Sequence, residues 1–130
     1  METHRGLMSK LLSRKIKIQG DTDLTDDGKK FSGNSQRRGK NFFLFHGTLL
    51  NDFDLSMIEK MLLQPDRQPD YRKNRSHREF IINVPVTSDA LKNSLTKAWG
   101  ATHPLKKLPL KQIEKLSRGK YSSHEWIHRF

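Results

Sequence analysis

The spacing of apolar residues predicts several β-strands in the first part of the chain. Ile16 and Ile18 alternate with polar neighbours, which is the period-two pattern of a half-buried strand. A short strand is predicted over 29–32, before a basic turn at 36–41. Residues 42–50 are apolar at most positions, and a strand that is apolar on both faces fits the centre of a covered sheet. These segments predict a sheet with 42–50 among its inner strands.

Apolar residues at intervals of three and four predict helices in four further segments. The positions expected to face inward are Leu7, Met8, Leu11 and Leu12; Leu55, Ile58, Met61 and Leu62; Leu91, Leu95, Ala98 and Trp99; and Leu110, Ile113 and Leu116. Asp52 or Asp54 can cap the second helix at its N-terminus. Thr87 or Ser88 can cap the third, and Gly100 stands where its C-terminal cap belongs. Strands combined with helices predict an α+β fold with a mixed, mostly antiparallel sheet and helices packed on it.

A polar segment with two prolines connects the second and third predicted helices. Residues 64–78 form a loop longer than ordinary connections inside a compact domain, so a binding role is predicted for it. Residues 80–86 are predicted to be a strand or an extended segment.

Composition limits the size of the core and the class of partner. A length of 130 residues suits one domain, but only 33% of the residues are hydrophobic, so the core is expected to be small or shared with a partner. Lys and Arg number 25 against 14 Asp and Glu, and 25 − 14 gives a net charge of +11. Such a charge attracts acidic partners, whether nucleic acid, anionic membrane or acidic protein.

Two absences in the sequence exclude further classes. There are no cysteines, which excludes a disulfide framework, a thiolate metal site and a thiol nucleophile within this chain. No stretch approaches the ~20 apolar residues that span a bilayer, and no signal peptide is seen, so no membrane partner and a cytoplasmic location are expected.

The most informative stretch is the polar segment 27–36, which holds two lysines between two glycines. Gly28 permits a tight turn, and Gly33 allows close approach to the backbone because neither residue carries a Cβ. A lysine beside exposed amides and small polar side chains suits a carboxylate or a phosphate. A charged surface hairpin is the alternative interpretation.

The residues of this segment resemble the lipoate–protein ligase family and, more broadly, the biotinyl/lipoyl protein ligase superfamily. KFSGNSQ at 30–36 is similar to the family's K-[IF]-[SA]-G-[NS]-[SA]-[QY] segment, and FHGTLL at 45–50 is similar to the strand that follows it. The resemblance extends to GDTDL at 20–24, YRKNRSH at 71–77, FIINVP at 80–85 and YSSHEW at 121–126. It implies a class II synthetase-like catalytic domain.

The resemblance implies an activity and a central residue. Members activate lipoate with ATP to an acyl-adenylate and transfer it to a lysine of a lipoyl acceptor domain. Lys30 matches the family's lysine, which lies between the acid's carboxylate and the α-phosphate. A fixed ammonium group suits two anions that must be held together. Lys29 would point to the opposite face of a strand.

The resemblance also assigns ligand contacts to residues around Lys30. Asp23 matches an acidic residue that helps to hold Mg²⁺ and the nucleotide phosphates, and oxygen ligands suit that ion. Thr22 stands where the family has asparagine, a better ligand; a solvated acidic loop is the alternative. The residues expected to line the adenylate or lie near it are Ser32, Gly33, Asn34, His46 and Thr48.

A second cluster in the resembling segments is Arg75, Ser76 and His77. This basic loop either docks the nucleotide or the acceptor domain, or is simply solvated. The acceptors that the resemblance implies are lipoyl domains of the 2-oxoacid dehydrogenase or glycine-cleavage type.

One part of the family pattern is missing. The family's R-R-x-x-G-G-G-x-V-x-H segment lies upstream of the lysine strand, and nothing in 1–19 matches it. Residues 1–130 are therefore expected to be a single partial catalytic domain, the C-terminal half. A non-catalytic half-domain that needs a complementary chain is an alternative. Another is an octanoyltransferase relative, although that branch uses a cysteine thiolate.

Two remoter alternatives come from other motifs. His124, Glu125 and His128 satisfy H-E-x-x-H, in which two imidazoles on one helical face bind Zn²⁺. Only two residues follow, so a third ligand downstream is not expected and a zinc protease is disfavoured. Basic and aromatic residues interleave at 37–43 and 71–75, as in nucleic-acid-binding segments, but no recognised motif accompanies them.

Overall fold

The computed structural model describes residues 1–105 and 107–129. The chain divides into two compact units, Met1–Gly100 and Ala101–Phe130. The first unit contains a four-stranded antiparallel sheet and four helices, which confirms the α+β fold class. All the predicted ligand-contact residues lie in this unit.

The sheet is a meander in the order β1-β2-β3-β4, each strand antiparallel to its neighbour. Its strands are β1 Lys17–Gln19, β2 Asp23–Asp26, β3 Lys29–Arg38 and β4 Phe43–Leu49. Asp27 and Gly28 join β2 to β3 with positive φ angles of 47° and 72°. Both central residues of a type I′ hairpin turn need positive φ, so this tight turn depends on an aspartate and a glycine.

The structure corrects two predictions about the strands. β3 has ten residues and runs through Gln36 to Arg38, so the predicted turn at 36–41 begins later. β4 is an edge strand, not an inner one: among the described residues it pairs with β3 alone, and Phe43 and Leu44 are 70% and 54% exposed. The prediction was wrong because an apolar run indicates a strand without indicating what covers it.

The helices of the first unit are α1 Glu2–Leu12, α2 Leu55–Met61, α3 His77–Phe80 and α4 Ser88–Ala98, with a single 3-10 turn at Asp70–Arg72. Asp54 caps α2 by accepting from Ser56 N, and Thr87 caps α4 by accepting from Ala90 N, as predicted. Met61, Leu62 and Trp99 are 72%, 57% and 58% exposed, which contradicts their predicted inward-facing positions.

Of the two alternatives predicted for 80–86, a strand or an extended segment, the structure supports the second at Ile81, whose φ and ψ of −109° and 160° are extended. Phe80 ends α3, and Ile81 makes one isolated parallel bridge to Lys30.

The second unit contains α5 Leu110–Leu116, a π-helical turn Ser117–Tyr121 and α6 His124–Ile127. Its predicted inward-facing residues, Leu110, Ile113 and Leu116, are 49–65% exposed, so that prediction was wrong within this unit. No helix in the described parts of the two units has the length and apolarity needed to cross a bilayer.

The core of the first unit forms where α1 and α4 pack on the sheet. Its buried members are Met8, Ile16, Leu24, Phe31, Val84 and Leu91. A β-bulge lies in the β2–β3 pair, because Leu24 pairs with Ser32 while Thr25 pairs with Lys30. Phe31 is the extra residue and is fully buried. The bulge lets Lys30 and Gly33, three residues apart, lie on the same face of β3.

We expect Gly47→Ala to destabilise the sheet by about 1–3 kcal/mol, because it disrupts a partly buried pair of hydrogen bonds. A Cβ at Gly47 would collide with Asn34 Oδ1 and would lie 3.1 Å from the carbonyl oxygen of Gly33. Asn34 would then lose its bonds to Thr22 O and Ser32 Oγ. Urea unfolding measures the change, and Gly119→Ala, where nothing lies within 4 Å, is the control. Equal stability of the two variants would contradict this packing.

Candidate functional site

Lys30 lies at the start of β3 and forms an ion pair with Asp23 on β2. The distance from Lys30 Nζ to Asp23 Oδ1 is 2.8 Å, and the two side chains are 29% and 14% exposed. An ammonium group has three N–H donors. Within the described part of the chain, Lys30 donates one of them to Asp23. The other two donors can serve a bound anion.

Asp23 has a second partner that the sequence interpretation did not place at the site. The Tyr71 hydroxyl donates to Asp23 Oδ2 at 2.6 Å, across 48 positions of sequence. Tyr71 belongs to the 3-10 turn in the loop that was predicted to bind, and its ring lies 5.2 Å from that of Phe80. The family-like YRKNRSH segment was the one signal that pointed to it.

Strand register shows which predicted residues join Lys30. A Cβ built on Gly33 would lie 3.6 Å from Lys30 Nζ and 3.9 Å from Thr48 Oγ1, and Gly33 and Thr48 are cross-strand partners. Lys30, Gly33 and Thr48 therefore share one face of the sheet, which we call the open face. Ser35 pairs with His46, so strand alternation places His46 on the open face as well.

Ser32 and Asn34 lie on the opposite face, which α1 and α4 cover. Both line a small pocket of about 190 Å³ together with Met8 and Leu95, and His46 and Thr48 contribute to the same lining. Asn34 Nδ2 donates to Thr22 O at 2.8 Å and to Ser32 Oγ at 3.0 Å, so the two side chains are engaged within the fold. The structure does not bring Ser32 to Lys30, whereas Asn34 also lines the larger pocket beside Asp23, and contact of either side chain with a ligand stays a prediction.

A larger pocket, of about 690 Å³, adjoins the carboxylate of Asp23. It is lined by 19–23 from the β1–β2 connection, by Asn34, and by 67–71 from the long loop. Asp23 and Tyr71 both belong to this lining. The pocket gives a ligand access to the side of the ion pair.

Arginines of the long loop fasten it to the sheet. Arg75 Nη2 donates to Gly28 O at 3.0 Å and to Tyr71 O at 2.8 Å. Arg72 is buried, with its guanidinium carbon 4.7 Å from the centre of the Phe80 ring. Ser76 forms a capping box with Glu79 at the start of α3. Arg75 and Ser76 thus have structural partners within the unit.

The residues present do not form a Mg²⁺ site by themselves. Both carboxylate oxygens of Asp23 already accept a hydrogen bond, one from Lys30 and one from Tyr71. Across residues 1–105 and 107–129, no three His, Cys, Asp or Glu side chains are placed to hold a metal ion. The rings of His124 and His128 lie 4.2 Å apart, but no third ligand among the described residues joins them to form a metal site. The zinc-protease alternative thus gains no support.

Burial of Tyr71 raises the pKa of its hydroxyl well above its usual value near 10, and the hydrogen bond to Asp23 and its charge raise it further. A raised pKa means that the bond stabilises the fold fully below pH ~10 and is lost as the pH rises through the folded-state pKa. We expect the tyrosinate absorbance of the wild type and of Tyr71→Phe to rise equally up to pH ~11, because Tyr71 stays protonated. An extra ionisation near pH ~10 in the wild type would contradict the bond.

The sequence and the fold identify the class of protein. The model of the lipoyl protein ligase A/B catalytic domain family matches residues 6–98, so the chain belongs to this family of ligases and transferases. The match ends beside the boundary of the first unit at Gly100. The family resemblance read from the lysine segment is thereby confirmed.

Individual relatives include both activities and an inactive protein. The chain is 28% identical over 137 residues to a probable lipoate–protein ligase A of Mycoplasma pneumoniae, covering 96% of this chain and 40% of that protein. It is 27% identical to the octanoyltransferase LipM of Geobacillus kaustophilus, covering 80% and 42%. An inactive lipoate–protein ligase 2 of Plasmodium falciparum is 34% identical over 58 residues, covering 45% and 15%.

Solved structures agree on the fold. A bipartite lipoate protein ligase of Thermoplasma acidophilum, studied with its E2 lipoyl domain, superposes with a TM-score of 0.72 at 23% identity, covering 96% of this chain and 55% of that chain. A lipoic-acid-bound putative ligase from the same organism gives a TM-score of 0.67 at 19% identity, covering 96% and 56%. The chain thus spans less than half the length of these curated relatives and just over half of these solved chains.

Proposed function

We propose that this chain carries the acid-binding part of a lipoate–protein ligase, which activates lipoate with ATP and transfers it to a lysine of a lipoyl acceptor domain. The observation that supports it most is the Lys30–Asp23 pair on the open face, beside a glycine and an accessible pocket. Two N–H donors of Lys30 are available to hold a carboxylate next to a phosphate.

The proposed reaction has two steps. In the first, a lipoate carboxylate oxygen attacks the α-phosphorus of ATP, the bond to the bridging oxygen breaks, and pyrophosphate leaves. In the second, the acceptor lysine amine attacks the acyl carbon, an amide forms, and AMP and a proton are released. Lys30 holds the two anions at bonding distance and offsets the negative charge that builds on the phosphoryl oxygens.

No step in this proposal passes through Mg²⁺. An Asp23 carboxylate engaged by Lys30 and Tyr71 would have to release a partner before it could take an ion. The family resemblance implies Mg²⁺ with the nucleotide, whose phosphates and water would then supply most of the ligands.

The charge of the chain supports an acidic protein acceptor. The net charge of +11 attracts an acidic lipoyl domain over long distances and raises its association rate. The interleaved basic and aromatic residues that suggested nucleic-acid binding include Arg37 and Arg38, which lie at the exposed end of β3. A DNA affinity that exceeds the affinity for any lipoyl domain at equal salt would favour nucleic acid instead.

The test is an incubation of the chain with ATP, lipoate and a lipoyl acceptor domain. We expect one pyrophosphate released for each acceptor that gains a lipoyl group by mass spectrometry. Transfer from an octanoyl carrier without ATP would instead support the transferase branch, which the octanoyltransferase relatives favour. That branch needs a thiol from outside this chain, which has no cysteine.

The exposed edge of the sheet favours a complementary half as a further partner. β4 presents unpaired backbone groups, and Phe42, Phe43 and Leu44 are 54–70% exposed. An apolar edge strand of this kind is a ready template for pairing with another chain. Faster pyrophosphate release when the family's arginine- and glycine-rich segment is added as a second chain would support this partner.

Gly33→Ala is expected to weaken lipoate binding about 10-fold by placing a methyl group in the space beside Lys30. The new Cβ would make only ordinary 3.6 Å contacts with Lys30, so the fold should persist. Calorimetric titration with lipoate measures the effect. Gly6→Ala, where the added Cβ meets nothing within 4 Å, is the matched control. Unchanged affinity in Gly33→Ala would place the acid elsewhere.

A further inference from the structure

Tyr71 has two separable features, a ring that packs and a hydroxyl that bonds. The ring lies 5.2 Å from the ring of Phe80. The hydroxyl donates to Asp23 Oδ2 at 2.6 Å, a distance typical of a strong bond to a charged acceptor. The hydroxyl, and not the ring, is connected to Lys30, because Asp23 bonds the hydroxyl through Oδ2 and the ammonium group of Lys30 through Oδ1.

The carboxylate of Asp23 is thereby fixed at both oxygens. A carboxylate with one partner can rotate about its terminal bond, whereas one held at both oxygens presents each oxygen in a set direction. The side chain is 14% exposed, so water competes weakly for either oxygen. The orientation of Asp23 then decides where Lys30 Nζ lies.

Tyr71 itself is held by the arginine next to the hairpin turn. Arg75 bonds the carbonyl of Tyr71 and, with the same nitrogen, the carbonyl of Gly28 between β2 and β3. One guanidinium nitrogen therefore links the loop that carries Tyr71 to the hairpin that carries Lys30. Through this link, Tyr71 lies close to the site of Lys30 although the two residues are distant in the sequence.

We propose that Tyr71 is a positioning residue: its hydroxyl fixes Asp23, and Asp23 aims the ammonium group of Lys30 so that two N–H donors face an anionic ligand on the open face. The inference rests on the proposed function for the identity of the ligand. It does not rest on that function for the Tyr71–Asp23–Lys30 geometry.

The test uses the reactivity of the Lys30 amine in the full chain. Limiting acetic anhydride labels lysine amines according to how accessible the nitrogen is, and mass spectrometry compares Lys30 with the exposed Lys29 as an internal reference. Tyr71→Phe keeps the ring and removes the hydroxyl. We expect it to raise Lys30 labelling about 5-fold, because a looser Asp23 leaves Lys30 Nζ accessible part of the time.

Three comparisons make the result specific. Asp23→Asn should raise Lys30 labelling further than Tyr71→Phe does, because it removes the paired charge itself. Tyr121→Phe, the matched change at the other of the two tyrosines, should leave labelling at the wild-type level. Lys29 labelling should stay constant throughout. Labelling of Lys30 in folded Tyr71→Phe that equals or falls below the wild-type level would overturn the proposal.

A second variant covers the case in which Tyr71→Phe does not fold. Asp23→Asn keeps Tyr71 intact and removes the charge that holds Lys30, so its Lys30 labelling should exceed the wild-type level. Wild-type labelling of Lys30 in folded Asp23→Asn would overturn the proposal.

Failure of the proposed function has a different signature. Lipoate that binds nowhere while the labelling order holds would refute the function and leave the positioning role intact. Lipoate that protects Lys30 equally well in the wild type and in Tyr71→Phe would refute the positioning role and leave the function intact.

Discussion

Lys30→Ala is expected to lower the rate of lipoyl-adenylate formation about 100-fold or more, which is the usual cost of removing one preorganised charge from the site of a charged transition state. The ammonium group of Lys30 lies between the carboxylate of Asp23 and the space beside Gly33. The rate is measured as lipoate-dependent pyrophosphate release at saturating ATP.

Lys29→Ala is the matched control for this change, since it removes the same charge from the next residue. Lys29 is exposed, and its backbone partner across the hairpin is Asp26. Its rate should stay within about 2-fold of the wild type, as expected for a solvated charge. Equal losses in the two variants would mean that only net charge matters, and equal wild-type rates would remove Lys30 from the mechanism.

Phe31→Ala is expected to cause the largest loss of stability, about 3–5 kcal/mol, through a cavity at the centre of the first unit. Phe31 is 0% exposed and belongs to the cluster that joins α1, α4 and the sheet. A domain of ordinary stability has a free energy of unfolding of ~5–15 kcal/mol, so this variant should melt ~12 °C or more below the wild type.

The same substitution at Phe43 tests whether burial is the cause. Phe43 is 70% exposed on the edge strand, and Phe43→Ala should change the free energy of unfolding by less than ~0.5 kcal/mol. Thermal unfolding of both variants gives the comparison. A larger loss at Phe43 would show that β4 is covered in solution, as the hydrophobic run first suggested.

Local chemistry made the helices and the hairpin predictable from sequence. Asp54 and Thr87 cap helices through bonds to amides two and three residues away, so the pattern and the structure agree. The glycine at 28 likewise signals the turn that brings Asp23 and Lys30 onto neighbouring strands. The family-like segment 30–36 supplied the lysine itself.

The remaining features depend on contacts that no local pattern records. The bulge at Phe31 changes which residues share a face, so strand alternation alone cannot group Lys30 with Gly33 or exclude Ser32. Tyr71 reaches Asp23 from a distant loop, which a hydrogen bond from Arg75 to Gly28 O joins to the hairpin turn. β4 is an edge strand because β3 is its one neighbour in the sheet of the first unit. The sequence of β4 does not show how many neighbours it has.

The most direct test of the account is a crystal structure of the chain with bound lipoate. We predict that a lipoate carboxylate oxygen lies within ~3 Å of Lys30 Nζ on the open face, with the bond from Tyr71 to Asp23 retained. A carboxylate bound on the face covered by α1 and α4, with Lys30 still bonded to Asp23 alone, would contradict it.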